Sequence, residues 1–355
     1  MVRVESKKMA LSALLVATAL VTPTIASAET AFYRPWAAKH RALVLDAYER
    51  NVIDLTEVSK DKRIAGFIHK GSDGLPPIYD CKTATNLTEL ELCKKNWKVY
   101  AVSKELYRTR RALAKALGMK WGAYHLGRPG NPIDQANHFI DFADPQPDEL
   151  IAIDIEEVGS GNYISMKDAE EFSYHIFRRL GRYPVLYVNG STAKLIAEQR
   201  EEYPLLSRLH LWYARYKPAI GEHFSMGNWD KYSLWQFSSQ TNCGTRSCPY
   251  RVAGTDNDID VNVADMSVNE LQKAWPMDGL VPTKNLHSNP NFTEALIALA
   301  KSIAPDIGKM STDAQQIALA YLPQRPQPHY LERANVDPII TASIGYVSYE
   351  RTVRD

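Results

Sequence analysis

Short apolar runs recur along the chain between residues 42 and 261, and many of them end at a polar side chain. They cover residues 42–45, 64–68, 121–124, 150–153, 184–187, 209–213, 233–237 and 259–261. Runs that are apolar on both faces are typical of strands buried on both sides in a parallel sheet. The pattern therefore predicts eight strands of one buried sheet.

Helical patterns separate the earlier strands. Ser103 is a candidate N-cap for a helix that stops at Gly118. Ser165 and Asp168 resemble a capping box, and Gly181 marks the end of the helix that follows them. Strands that alternate with helices in this way predict an α/β fold, and eight of them favour a TIM-like (β/α)8 barrel over an open sheet.

The later part of the chain departs from this alternation. Residues 216–232 and 237–259 contain glycine, proline and asparagine but no helical period, so we expect an irregular barrel that lacks some late helices. After Trp275 a linker-like composition leads into two further helical patterns. We interpret residues 29–275 as the barrel domain and residues 276–355 as a linker with a small helical C-terminal appendage of unknown role.

The N-terminus has the composition of a secretory signal peptide. Lys7 and Lys8 precede an apolar run, and Ala26 and Ala28 supply the small residues of a cleavage site after residue 28. The run is short for a membrane span, although an uncleaved anchor is the alternative. We therefore expect residues 1–28 to be removed and the protein to be exported, to the periplasm or the medium, with no membrane span in the mature chain.

Charge and cysteine content narrow the classes of partner. The 355 residues carry a formal net charge of +1, which provides no basic field for nucleic acid or an anionic membrane. The four cysteines of an exported chain predict two disulfides, and of the three possible pairings we favour the local one. That pairing joins Cys81 to Cys93 and Cys243 to Cys248. A metal site made of four thiolates is the alternative, but no C-x2-C pair supports it.

The segment around residue 154 carries the clearest chemical signal. Asp154 and Glu156 end a buried strand two positions apart, so their side chains point the same way, roughly 6.6 Å apart by the rise of a strand. A barrel places its active site at the C-terminal ends of its strands. When two carboxyl groups lie this close together, repulsion between their charges raises the pKa of one of them. The pair then supplies a proton donor beside an anion, as glycosidases require. An ordinary solvated acidic pair is the simpler interpretation.

Two further acids and three aromatic residues extend this candidate site. Asp46 ends the first strand and Asp260 lies in the last, so closure of the barrel would place them side by side. Candidate sugar-binding residues are Tyr124, Tyr187 and Trp212, although each could equally fill the barrel. The histidines show no metal-ligand spacing, and no nucleotide-binding loop or serine-nucleophile motif occurs, so we predict neither a metal nor a cofactor. His69 and His125, at strand ends, are expected to be structural.

The order of these segments resembles glycoside hydrolase family 25, the Chalaropsis-type muramidases, over residues 42–275. The segments that carry the resemblance are Leu45-Asp46-Ala-Tyr48, Phe67-Ile-His-Lys70-Gly-Ser-Asp73-Gly74, Gly122-Ala-Tyr-His125-Leu-Gly-Arg128-Pro129-Gly130, Ile153-Asp-Ile-Glu156, Pro184-Val-Leu-Tyr187-Val-Asn189, Leu211-Trp-Tyr-Ala-Arg215-Tyr216, Leu234-Trp-Gln-Phe-Ser-Ser239 and Ile259-Asp-Val-Asn262. The chain departs from the family at Glu49-Arg50-Asn51, where an aromatic-rich segment is usual, and at Asp73, where the family usually has glutamate. A cysteine-bearing insertion over residues 75–97 is a further departure.

The resemblance implies an exported lysozyme that cleaves the β-1,4 bond between N-acetylmuramic acid and N-acetylglucosamine in peptidoglycan glycan strands. It implies that Glu156 is the acid/base, that Asp154 is its assisting carboxylate, and that Asp46 and Asp260 complete an acidic pocket. We expect Glu156 to hold the proton beside an ionised Asp154. A chitinase-like glycosidase and a non-catalytic peptidoglycan-binding barrel are the alternatives. The sequence does not indicate an oligomeric state.

Overall fold

Eight β-strands close into a barrel in chain order. The computed structural model describes residues 31–77 and 80–284, and the predicted signal peptide lies outside them. Each strand is hydrogen-bonded to the next and β8 to β1, which confirms the predicted barrel. The strands are β1 (Arg41–Ala47), β2 (Ile64–Asp73), β3 (Lys120–Leu126), β4 (Leu150–Ile155), β5 (Val185–Asn189), β6 (Leu211–Ala214), β7 (Leu234–Ser238) and β8 (Asp260–Ser267).

The last strand runs against the others. Strands β1 to β7 are parallel, whereas β8 is antiparallel to both of its neighbours, β7 and β1. A parallel neighbour requires a crossover connection, usually a helix, and the described residues between β7 and β8 form no helix. Because β8 is reversed, its first residue lies at the same end of the barrel as the last residues of the other strands.

The α-helices that the structure describes pack mainly around the first six strands. They are α1 (Leu55–Val58), α2 (Leu87–Ala116), α3 (Pro132–Ala143), α4 (Met166–Leu180), α5 (Gly190–Glu198) and α6 (Val268–Ala274). Between β6 and β7 the described chain forms only a short 3-10 turn over Gly221–His223. The expected absence of late helices therefore holds for the described connections after β6 and β7.

Helix α2 begins much earlier than its predicted cap at Ser103. The side chain of Asn86 accepts a hydrogen bond from the backbone N–H of Glu89 at 3.0 Å and thereby caps the helix. The cysteine-bearing insertion therefore supplies the first turns of α2 rather than a loop before it. By contrast, α4 has the predicted ends: Ser165 caps it, and Gly181 closes it at a φ of 72°.

Side chains alternate between the barrel interior and the shell of helices. Val44 and Ala152 belong to the interior cluster, whereas Ile153 belongs to the cluster between strands and helices. The same alternation turns Asp46 and Asp154, two residues further along their strands, into the barrel. The two strand-end carboxylates therefore lie above an apolar interior.

Trp275 closes the N-terminal end of the barrel. It is buried, and its indole N–H donates to the backbone oxygen of Trp121 at 3.0 Å. Met277 joins the same interior cluster, and the N–H of Val281 donates to the backbone of the β5–β6 connection at 2.7 Å. Because residues 276–282 pack against the barrel in this way, the compact unit ends at Pro282, later than the predicted start of the linker.

Covalent links hold two of the loops. Cys81 is bonded to Cys93 and Cys243 to Cys248, the local pairing favoured from the sequence. Disulfides are typical of oxidising compartments. None of the helices in the described part of the chain combines the length and apolar character that a membrane span requires.

Candidate active site

Four carboxyl groups meet at the end of the barrel where the parallel strands finish. Asp154 is the penultimate residue of β4 and is 6% exposed, and Glu156 follows immediately after the strand, partly buried. Asp46 of β1 lies directly opposite Asp260 of β8 in the strand register. The structure thus places all four predicted acids at one rim, and the reversal of β8 brings Asp260 to it.

Two amide side chains hold Asp46 in place. Its Oδ2 accepts hydrogen bonds from Asn262 Nδ2 at 2.6 Å and from Gln236 Nε2 at 3.0 Å, and its Oδ1 lies 3.3 Å from the same Gln236 nitrogen. Burial raises the pKa of Asp46 to about 6, while these two hydrogen bonds act to lower it. Asp46 is therefore a buried acceptor that still titrates near neutral pH.

The orientation of Gln236 is fixed by two tyrosines. Its Oε1 accepts from the hydroxyl groups of Tyr187 at 2.9 Å and Tyr216 at 2.6 Å. With its oxygen occupied by two donors, the amide must direct its nitrogen toward Asp46. Gln236 and Asn262 escaped prediction as functional residues, although a polar side chain at an inward position of a buried strand is a usable signal.

The three candidate sugar-binding aromatics occupy different depths. Trp212 is 1% exposed and donates to Asn262 Oδ1 at 2.5 Å, so it packs inside the barrel and presents no ring face to a sugar. Tyr187 is 8% exposed and is engaged with Gln236. Tyr124 is the most accessible of the three, partly buried among the carboxylates. Trp212 and Tyr187 thus support the acidic rim from below, and Tyr124 stays the candidate for substrate contact.

Burial and repulsion between neighbouring carboxylates raise the pKa values of Asp154 and Asp260. Burial raises the pKa of Asp154 well above its usual range, and the charges of Glu156 and Asp46 raise it further. The Oδ1 atom of Asp154 has no hydrogen-bond partner among the residues that the structure describes. Burial also raises the pKa of Asp260 well above its usual range, with the charge of Asp46 next in size.

The expectation that Glu156 is protonated beside an ionised Asp154 stays a prediction. Burial raises the pKa of Glu156 as well, but the guanidinium of Arg128 opposes that increase. Asp154 is more deeply buried, so its neutral form is favoured more strongly. The pKa values of both carboxyl groups are therefore raised, chiefly by burial.

Two ion pairs bring basic groups close to the acids. Arg128 Nε donates to Asp73 Oδ1 at 2.6 Å, and the guanidinium lies 4.9 Å from the ring centre of Tyr163. Lys70 pairs with Glu49 at 2.9 Å. The site is thus acidic at its centre, with cations each tied to a carboxylate of their own.

His69 and His125 are held in structural hydrogen bonds, as expected. His125 lies between Ser72 Oγ at 2.7 Å and Gln135 Oε1 at 3.0 Å, and burial lowers its pKa to about 4. His69 contacts the backbone oxygen of Lys70 at 2.8 Å. Within the described residues no group of three or more His, Cys, Asp or Glu side chains could hold a metal ion.

The sequence over residues 100–245 matches the family model described as glycosyl hydrolases family 25. This segment is similar in sequence to glycosyl hydrolases family 25. The predicted resemblance is therefore confirmed for that segment, and with it the assignment to the glycoside hydrolases. The family 25 segment includes Asp154 and Glu156, whereas Asp46 and Asp260 lie outside it and join the site through closure of the barrel.

Several solved structures are similar to this chain. A muramidase from Acremonium alcalophilum has 17% sequence identity and a TM-score of 0.45, covering 65% of this chain and 97% of its own. A family GH25 lysozyme from Aspergillus fumigatus has 17% identity and a TM-score of 0.45, with coverage of 66% and 98%. A bacterial lysozyme from Streptomyces coelicolor has 18% identity and a TM-score of 0.43, with coverage of 65% and 95%. No curated protein sequence matches the chain.

Proposed function

We propose that this family 25 barrel is a muramidase, which hydrolyses the β-1,4 bond between N-acetylmuramic acid and N-acetylglucosamine in peptidoglycan. The observation that carries the proposal is the Asp154–Glu156 pair, raised in pKa and placed at the open rim of the barrel inside the family 25 segment.

Glu156 is the acid/base of the proposed reaction. It lies one step beyond the strand and is less buried than Asp154, so it is the member of the pair that a glycosidic oxygen can approach. As the bond from C1 to the leaving oxygen breaks, the proton held by the pair passes from Glu156 to that oxygen. The proton must reside on Glu156 for this step, and the raised pKa of that carboxyl favours this state.

Asp154 acts on the sugar rather than on the leaving group. Once ionised, it orients the N–H of the substrate's 2-acetamido group, and the acetamido oxygen attacks C1 as the internal nucleophile, a scheme known among glycosidases. Water then opens the resulting ring at C1 and returns a proton to Glu156. Asp46 and Asp260 lie opposite each other at the same rim, and in their ionised forms they stabilise positive charge on the sugar carbon.

The disulfides and the N-terminal composition support a site of action outside the cytoplasm. Both cysteine pairs are oxidised, and the sequence before residue 29 has the order of charges and apolar residues found in signal peptides. We accordingly assign the enzyme to the exported proteins, where its polymeric substrate lies.

Analysis of the new reducing ends tests the activity. Purified peptidoglycan is digested with the full mature chain, reduced with borohydride, hydrolysed in acid and separated by chromatography. A muramidase yields reduced muramic acid, whereas a chitinase-like enzyme would yield reduced glucosamine. Binding to the wall without release of soluble fragments would identify a non-catalytic barrel and overturn the proposal.

A further inference from the structure

A cavity lies outside the barrel wall. It has a volume of about 770 Å³ and runs between α5 and the turn that follows β6. Gly190 and Ser191, at the start of α5, line one end, and Gly227 lines the other. None of the four carboxylates of the candidate active site lines this cavity.

Arg215 is a half-buried cation that lines this cavity. It follows β6 directly, and its Nε is buried without a hydrogen-bond partner among the described residues. The acidic side chains nearby are in part already engaged: Glu198 lies 3.6 Å from Lys194 and Glu222 lies 3.4 Å from His223. A half-buried guanidinium with an unpaired donor favours a carboxylate ligand, which it binds through paired hydrogen bonds.

The residue before the cavity-lining Gly190 contacts the loop that carries Glu156. Asn189 ends β5, and its Nδ2 donates to the backbone oxygen of Glu156 at 2.5 Å. Gly190, which lines the cavity, follows Asn189 in the chain and lies beside Arg215. The end of the cavity at Gly190 therefore lies close to the loop that carries Glu156.

The proposed substrate has a carboxylate-bearing group beside the bond that is cleaved. Each N-acetylmuramic acid carries, on its lactyl ether, a short peptide with free carboxylates, and this sugar contributes the carbon at which the bond breaks. The peptide therefore leaves the glycan strand next to Glu156. We propose that the cavity lined by Gly190 and Arg215 binds this substrate peptide, with the Arg215 guanidinium pairing with one of its carboxylates. This inference rests on the proposed muramidase function.

The test compares two forms of one substrate. Initial rates are measured on intact peptidoglycan and on the same glycan strands after an amidase has removed the peptides. We expect kcat/KM of the native enzyme to be higher on the intact strands. In Arg215→Gln that preference should fall by about tenfold, the effect of losing one charged hydrogen-bonding partner, and the change should appear in KM.

A second variant narrows the cavity without removing its charge. A Cβ at residue 190 would lie 2.8 Å from the Tyr213 hydroxyl and 3.2 Å from Arg215 Nη1, so Gly190→Ala fills the end nearest the active site. It should also lower the preference for intact strands, and it carries the test if Arg215→Gln does not fold. Arg178→Gln, at an exposed arginine of α4 outside the cavity, is the matched control and should keep the preference.

The outcomes separate the two proposals. Equal kcat/KM of the native enzyme on both substrates, or an unchanged preference in both folded variants, overturns the peptide site and leaves the muramidase function standing. Failure of the native enzyme to cleave either substrate overturns the muramidase function itself.

Discussion

Replacing Asp46 by asparagine should remove a large part of the pH dependence of stability. The substitution keeps the shape of the side chain. With its oxygen at the position of Oδ2, the substituted amide can still accept the bonds from Asn262 at 2.6 Å and Gln236 at 3.0 Å. Only the 3.3 Å contact at Oδ1 is lost. The main change is that residue 46 no longer acquires a buried negative charge as the pH rises.

The magnitude follows from the pKa of Asp46, which burial raises from 3.8 to about 6. Between these two values the folded state binds more protons than the unfolded state, so the free energy of unfolding decreases as the pH rises. The full effect of this one group is about 3 kcal/mol, at 1.36 kcal/mol per pKa unit. About 2 kcal/mol of it falls between pH 4.5 and pH 7.5 by the same relation.

Urea unfolding followed by tryptophan fluorescence measures this difference. The free energy of unfolding of Asp46→Asn relative to the native chain should increase by about 2 kcal/mol from pH 4.5 to pH 7.5. Asp256→Asn makes the same chemical change at an exposed position and should leave the pH dependence unaltered. If Asp46→Asn and the native chain keep the same difference at both pH values, the charge of Asp46 is not buried as described.

Three other predictions can be tested directly. Arg128→Gln removes the cation that lowers the pKa of Glu156, so the alkaline limb of the kcat/KM profile on peptidoglycan should move to higher pH; an unmoved limb would refute the assignment. A chain that ends at Lys284 keeps the contacts of residues 276–282 and should retain the melting temperature and the activity of the full protein; loss of both would show that the remaining residues belong to the core. Mass spectrometry of the exported protein should find Glu29 as the first residue, and an intact leader would instead indicate an anchored chain.

The positions of the candidate catalytic carboxylates could be predicted from the sequence because they follow from local rules. Asp46 and Asp154 end apolar runs, and the alternation of a strand turns both into the barrel. Asp260 could be placed beside Asp46 only by assuming that the barrel closes. The antiparallel direction of β8 had no signal of its own, since nothing in residues 259–261 encodes strand direction.

Interactions between residues that are far apart in the chain could not be predicted from the sequence. Gln236 acts through Tyr187, Tyr216 and Asp46, which come from three other segments of the chain, and their pairing exists only once the barrel has closed. The pKa values of two neighbouring carboxyls likewise depend on how deeply the fold buries each of them. The early start of α2 is different, because Asn86 followed three residues later by a glutamate was a readable capping signal.

The central claim is that Glu156 delivers the proton to the leaving sugar. Glu157 provides a matched control, because it is the next residue, has the same side chain and is exposed. Peptidoglycan turnover by Glu156→Gln, Glu157→Gln and the native chain is measured together with binding to insoluble peptidoglycan. We predict that Glu156→Gln binds normally but loses at least ~10²-fold in kcat, the low end for general acid catalysis, while Glu157→Gln stays near native. Near-native turnover by Glu156→Gln would contradict the mechanism.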